Sequence, residues 1–227
     1  MTRPATTPST LPLPRALLTG FDAFGDARLN ASWLAVQTMD GELLEGHKLV
    51  VAQLPTVFGS SLPALSRLLQ LHKPALVICV GQAGGRNALS LERVAINLQD
   101  AHMADNAGEQ PLDAPIVADG PAAYFSTLPI KAMLQALQQA GIAVEVSQTA
   151  GTFVCNHVFY GLMHALAKQR TTQQKTRVRG GFIHVPYLPE QGSPCMPLEE
   201  IVRGLRLAVE SALKTPQDLT RSAGRSS

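Results

Sequence analysis

The chain is expected to fold as one α/β domain, an open, twisted, mostly parallel sheet with helices on both faces. Three observations predict this. Short runs of β character alternate with amphipathic helical patterns along the 227 residues, the signature of parallel strands joined by helical crossovers. Neither an internal repeat nor a linker divides the sequence. Small-residue turns fall where the β runs end, which in open α/β sheets is where working side chains collect.

The β runs are Ala16–Thr19, Lys48–Leu54, Ala75–Val80, Ala143–Gln148 and Gly181–Val185. The helical patterns are Ser32–Met39, Ser60–Leu71, Ile130–Ala140, Val154–Lys168 and Leu198–Leu213. Asn30 can cap the first helix, Pro129 can begin the third, and Gly141 follows it as a C′ glycine. Residues 97–127 break the alternation. Their Pro, Asp and Gly content predicts a long irregular excursion, which in a compact domain is often functional. Residues 1–14 and 215–227 read as polar tails around a domain spanning 15–214.

Composition narrows the function. Hydrophobic residues make up 45% and charged residues 16%, with a net charge of +2, the balance of a soluble globular protein without a polyanionic partner. The basic residues of 168–179 are interrupted by Thr and Gln with no interleaved aromatics, which fits a solvated loop rather than a nucleic-acid surface. Cys79, Cys155 and Cys195 include no CxxC and cannot all pair within the chain, a usage that suits a reducing compartment. The Pro/Thr-rich N-terminus lacks an apolar h-region, and no apolar run approaches the ~18–20 residues of a membrane span. A cytoplasmic protein is expected.

Cys155 is the most informative residue. It follows a β run and a small-residue turn, at or just after the start of a helical pattern. Unpaired backbone N–H groups and the positive end of the helix dipole favour a thiolate there. A cysteine nucleophile also needs a base and a group to orient it. At about 100° per residue, His157 and His164 lie roughly 180–200° around the helix from Cys155, so both read as packing or surface residues. His184 ends a strand after the Cys155 helix, and a right-handed crossover can bring it to the same sheet edge; a satisfied core histidine is the competing reading. Glu92 is the most telling acid, in an apolar segment after Gly81–Arg86, although an ion pair with neighbouring Arg93 would explain it equally well. Cys79, within Leu76–Val80, reads as core. Gly81–Arg86 completes no phosphate-binding motif.

Several long segments, in one order, resemble the pyroglutamyl peptidase I (pyrrolidone-carboxylate peptidase) family of cysteine peptidases over about Leu17–Leu213. They are LLTGFDAFG, NASW, LPTVF, GQAGGR with LERVAIN, SQTAGTFVCNHVFYGLMH and GFIHVPYLPEQ. The resemblance implies release of N-terminal pyroglutamate from peptides by a Cys–His–Glu triad, here Cys155, His184 and Glu92, with no metal or cofactor. It implies a lactam pocket of Phe21 and Phe24, with Asn30, Thr56, Gln82, Phe153 and Val154 around it, and assembly into homo-oligomers, tetramers in the family. Asn30 or backbone groups near Gln82 would satisfy the polar atoms of the lactam. Departures are Ala23 for a usual proline, Asp26 for a glycine, Ala31 within NASW, and His102 where the family has an arginine. The last implies slower or more pH-sensitive turnover. A weakly catalytic family member that binds pyroglutamyl peptides is one alternative expectation; a nucleosidase- or phosphorylase-like protein holding an anion at Gly84–Arg86 is another.

Overall fold

A computed structural model describes residues 12–170 and 178–222. The start of the N-terminal tail, most of the 168–179 connection and the last five residues therefore lie outside it. Every β run and helical pattern read from the sequence forms: β1 (Arg15–Phe21), α1 (Ala31–Gln37), β3 (His47–Leu54), α2 (Phe58–His72), β4 (Leu76–Gln82), α3 (Ile130–Gln139), β8 (Val144–Ser147), α4 (Val154–Arg170), β9 (Arg179–Val185) and α5 (Leu198–Lys214). Four short strands are additional: β2 (Leu43–Leu44), β5 (Leu89–Glu92), β6 (Val94–Ile96) and β7 (Ala123–Phe125). The last two form a small antiparallel ribbon.

The main sheet runs β2-β3-β1-β4-β9-β5-β8. Strands β3, β1, β4 and β9 are parallel, and β4 is buried along its whole length, as a central strand covered on both faces must be. β5 runs antiparallel to β9 and parallel to β8, so this side of the sheet is reversed. The cause is the short Ala83–Ala88 loop after β4, because a parallel return needs about a dozen residues. That reversal sets Ser90 opposite His184 and Glu92 opposite Phe182.

Alternation along the strands splits the core into two layers. Leu18, Ile78, Val80, Ile183 and Val185 pack beneath α1, α3 and α5. Leu17, Val77, Cys79 and Phe182 pack beneath α2 and α4. With a side-chain period of two, Gly81 and His184 face the α4 layer, the side that carries Cys155.

The caps show how local chemistry fixes the frame. Asn30 caps α1, accepting from Ser32 N–H at 3.0 Å. Gly141 takes φ 72° after α3. Val57 precedes α2 and has no side chain able to cap it; Asp105, from the irregular excursion, accepts from Phe58 N–H at 2.8 Å instead. At the other end the expected tail from 215 is tied down in its first residues. The Asp218 carboxylate accepts from Lys131 and Ala132 N–H, capping α3.

Candidate active site

Cys155 lies in the first turn of α4, whose first intrahelical bond runs from His157 N–H to the Phe153 carbonyl at 3.1 Å. The N–H groups of Val154 and Cys155 thus have no acceptor within the helix. The turn is anchored by Asn156, which is fully buried. Its Oδ1 accepts from Ile96 N–H at 3.0 Å, while Nδ2 donates to the carbonyls of Ile96 and Leu98 at 2.9 and 3.0 Å. The sulfur rests over the end of β4, where a Cβ added to Gly81 would stand 2.9 Å from Sγ. Gly81 is in register with His184 on the neighbouring strand, one strand spacing of about 4.8 Å away. Only glycine leaves room for the thiol at that point.

His184 Nδ1 and Glu92 Oε1 are 2.8 Å apart. A carboxylate can only accept here, so Nδ1 carries the proton and Nε2 is left as the base. The same Oε1 receives Arg86 Nη1 at 2.6 Å, and Arg86 Nη2 donates to the Thr149 carbonyl at 3.1 Å. One arginine therefore ties the glycine-rich loop, the carboxylate and the turn before Cys155 together. Glu92 pairs with Arg86, not with Arg93, and Arg86 is committed to it, which leaves the anion-binding alternative without its cation.

Burial works against the thiolate that the helix start favours. Burial, aided by the Glu92 charge and opposed by Arg86, pushes the Cys155 thiol up to about 12, although part of the residue remains accessible from the cavity. Burial also holds His184 below its ordinary range against the hydrogen bond and charge of Glu92. Both shifts favour the neutral forms of the thiol and the imidazole. Cys79 is fully buried, its thiol likewise pushed up to about 12 by burial.

A cavity of about 480 Å³ opens at Cys155 and His184. Phe21, Phe24 and Phe153 form its apolar wall, with Asn30, Thr56 and Gln82 among its polar residues. Phe153 is the hub of the wall, its ring centroid 6.0 Å from Phe24, 5.4 Å from Phe58 and 5.7 Å from His102. One expectation changes. Val154 is wholly buried in the α4 layer and does not line the cavity. Asn30 lines it with its amide partly engaged: Oδ1 holds Ser32 N–H and Oγ, and one Nδ2 hydrogen goes to the Asp22 carbonyl at 2.9 Å. Asn30 thus holds the loop that carries Phe21 and Phe24 and keeps a second Nδ2 hydrogen for a ligand.

Residues 14–215 match the pyroglutamyl peptidase family. The chain belongs to that family. It is 56% identical over 218 residues to the pyrrolidone-carboxylate peptidase of Cupriavidus taiwanensis, covering 94% of this chain and 99% of that one. The crystal structure of Bacillus amyloliquefaciens pyroglutamyl peptidase I superposes with a TM-score of 0.86 at 44% identity, covering 91% of this chain and all of that one (100%). The pyrrolidone carboxyl peptidase of Thermococcus litoralis gives 0.87 at 32% identity, covering 92% and 100% of the two chains.

Within this pyroglutamyl peptidase fold, several site contacts escaped the reading of the sequence. Arg86 and Glu92 are joined across a loop–strand junction, where no periodicity brings positions six apart together. Asn156 and Asp105 bond backbone groups distant in sequence, and only their burial marks them. His102 lies at the cavity rim against Phe153. Among the described residues, no cluster of three His, Cys, Asp or Glu side chains could hold a metal ion, and no helix is long and apolar enough to cross a membrane.

Proposed function

We propose that this chain hydrolyses the amide bond after an N-terminal pyroglutamyl residue, with Cys155 as nucleophile, His184 as general base and acid, and Glu92 as the group that orients the imidazole. The observation that carries this reading is the His184 Nδ1–Glu92 Oε1 bond of 2.8 Å, in the cavity that also holds Cys155. His184 Nε2 takes the thiol proton as sulfur attacks the pyroglutamyl carbonyl, so the thiolate exists only as the bond forms. The Cys155 N–H in the first turn of α4 and the Gly84–Gly85 loop border the cavity and would serve the oxyanion; one such donor is typically worth roughly 10²–10³ in rate. Imidazolium then protonates the leaving amine, and water hydrolyses the thioester. Phe21, Phe24 and Phe153 suit the flat apolar part of the lactam, and His102 and Thr56 complete its surroundings.

The reading includes cytoplasmic residence, supported by three free cysteines. It also includes a homo-oligomer, for which exposed Phe125 on β7 offers apolar contact surface. Acid quenching of the protein during turnover of a pyroglutamyl amide, followed by mass spectrometry, should find one pyroglutamyl group on the Cys155 peptide. An unmodified Cys155, or the group on Cys79 or Cys195, would overturn the assignment of the nucleophile.

A further inference from the structure

Two carboxamides meet behind the cavity. Gln82 ends β4, is buried and lines the cavity. Its Oε1 accepts from the backbone N–H of Ala31 at 2.7 Å and from Gln191 Nε2 at 2.8 Å. Backbone chemistry forces both orientations. The Ala31 N–H can only donate, so the Gln82 atom facing it is oxygen. Leu188 N–H donates to Gln191 Oε1 at 3.0 Å, so the other end of Gln191 is its nitrogen, which also reaches the Leu29 carbonyl at 3.4 Å. Oε1 of Gln82 thus has both lone pairs taken. Among the described residues Nε2 makes no hydrogen bond, and it is not a sealed, unsatisfied atom. The Gln82 side chain therefore offers a ligand two N–H donors and no acceptor.

We infer that Gln191 is a positioning residue for substrate selectivity, locking the Gln82 amide so that Nε2 donates to the ring carbonyl of a bound lactam. This deepens the proposed function and rests on it. Without Gln191, the Gln82 amide loses the second donor that pins its oxygen. A pyroglutamyl ring accepts the Nε2 donor; a prolyl ring has a methylene at that position and would leave the donor unpaired.

The test compares wild type with Gln191→Glu and Gln191→Met. A carboxylate at 191 still accepts from Leu188 N–H but cannot donate to Gln82 Oε1, and it competes for Nε2. Methionine keeps the bulk and removes both bonds. Because the carbonyl contact is made equally in ground and transition states, KM for a pyroglutamyl amide should rise about 10-fold with kcat little changed. Preference over a prolyl amide should fall by the same factor. The inhibition constant of 2-pyrrolidone should rise in parallel, and its thermal-shift midpoint gives the same comparison without turnover. A melting curve identifies any variant that fails to fold, in which case the other decides. Unchanged KM and 2-pyrrolidone affinity in a folded variant, or a fall in kcat alone, would overturn the inference. Inactive wild type that still binds 2-pyrrolidone in a Gln191-dependent way would sink the proposed reaction and keep this assignment.

Discussion

At the level of single residues, burial favours the neutral form of both catalytic partners. A thiol pushed up to about 12 beside an imidazole held below its usual range predicts a particular pH profile. The acid limb of kcat/KM should inflect below pH ~6.5, the ordinary value of histidine, with no alkaline fall from Cys155 across the neutral range. Thiolate absorbance near 240 nm should not differ between wild type and Cys155→Ala at pH 7; a clear difference would restore the ion pair. Glu92→Gln removes the charge that supports imidazolium and orients the ring, and is expected to lower kcat by about 10²–10⁴. Arg86→Met leaves the Glu92 carboxylate buried with one partner fewer. It should destabilise the fold by about 1–3 kcal/mol and reduce kcat, measured by melting and steady-state kinetics.

The ends of β4 and α4 meet so closely that one atom decides the outcome at the scale of elements. An alanine at 81 would place its Cβ 2.9 Å from Cys155 Sγ and 2.8 Å from the Phe182 ring. Gly81→Ala should therefore cost at least tenfold in kcat while far-UV circular dichroism stays native; full activity would contradict the sulfur's position. Much of this frame was legible in sequence. The five β runs and five helical patterns carried strong periodicity, and Asn30, Pro129 and Gly141 marked their ends through local chemistry. β5 was not legible as a strand, because Leu89–Glu92 is short and its reversed direction follows from loop length and pairing with β9, both nonlocal. Cys155, His184 and Glu92 drew notice individually, but spacing left Glu92 open to a pairing with Arg93 that its strand geometry does not make. Val154 could not be told from its neighbours at a helix start, where one residue's rotation separates cavity from core.

The pH response of the whole molecule follows from groups buried in one state of charge. His157 is 7% exposed, packs edge-on to Phe58, and has both ring nitrogens without a hydrogen-bond partner; burial drives its pKa down to about 4. Its neutral form is the folded one, so its contribution is complete above pH ~6.5 and is lost as pH falls from there towards 4. Linkage puts the loss at about 3 kcal/mol. Burial opposes charge on Asp105, yet the N–H groups of Phe58, Glu109 and Ala107 hold its carboxyl below the usual range. Its stabilisation is present above the ordinary carboxylate value and disappears as pH falls through the lowered one, extending the acid transition downward. Urea midpoints between pH 7 and 4 should drop steeply for wild type and less for His157→Phe; equal slopes would remove His157 from the account. The central claim is tested most directly by amine release from a pyroglutamyl amide, with a prolyl amide as control, by wild type and Cys155→Ala. The account predicts selective turnover by wild type and none by the variant. Turnover that survives the loss of Cys155, or no pyroglutamyl turnover by folded, reduced wild type, would contradict it.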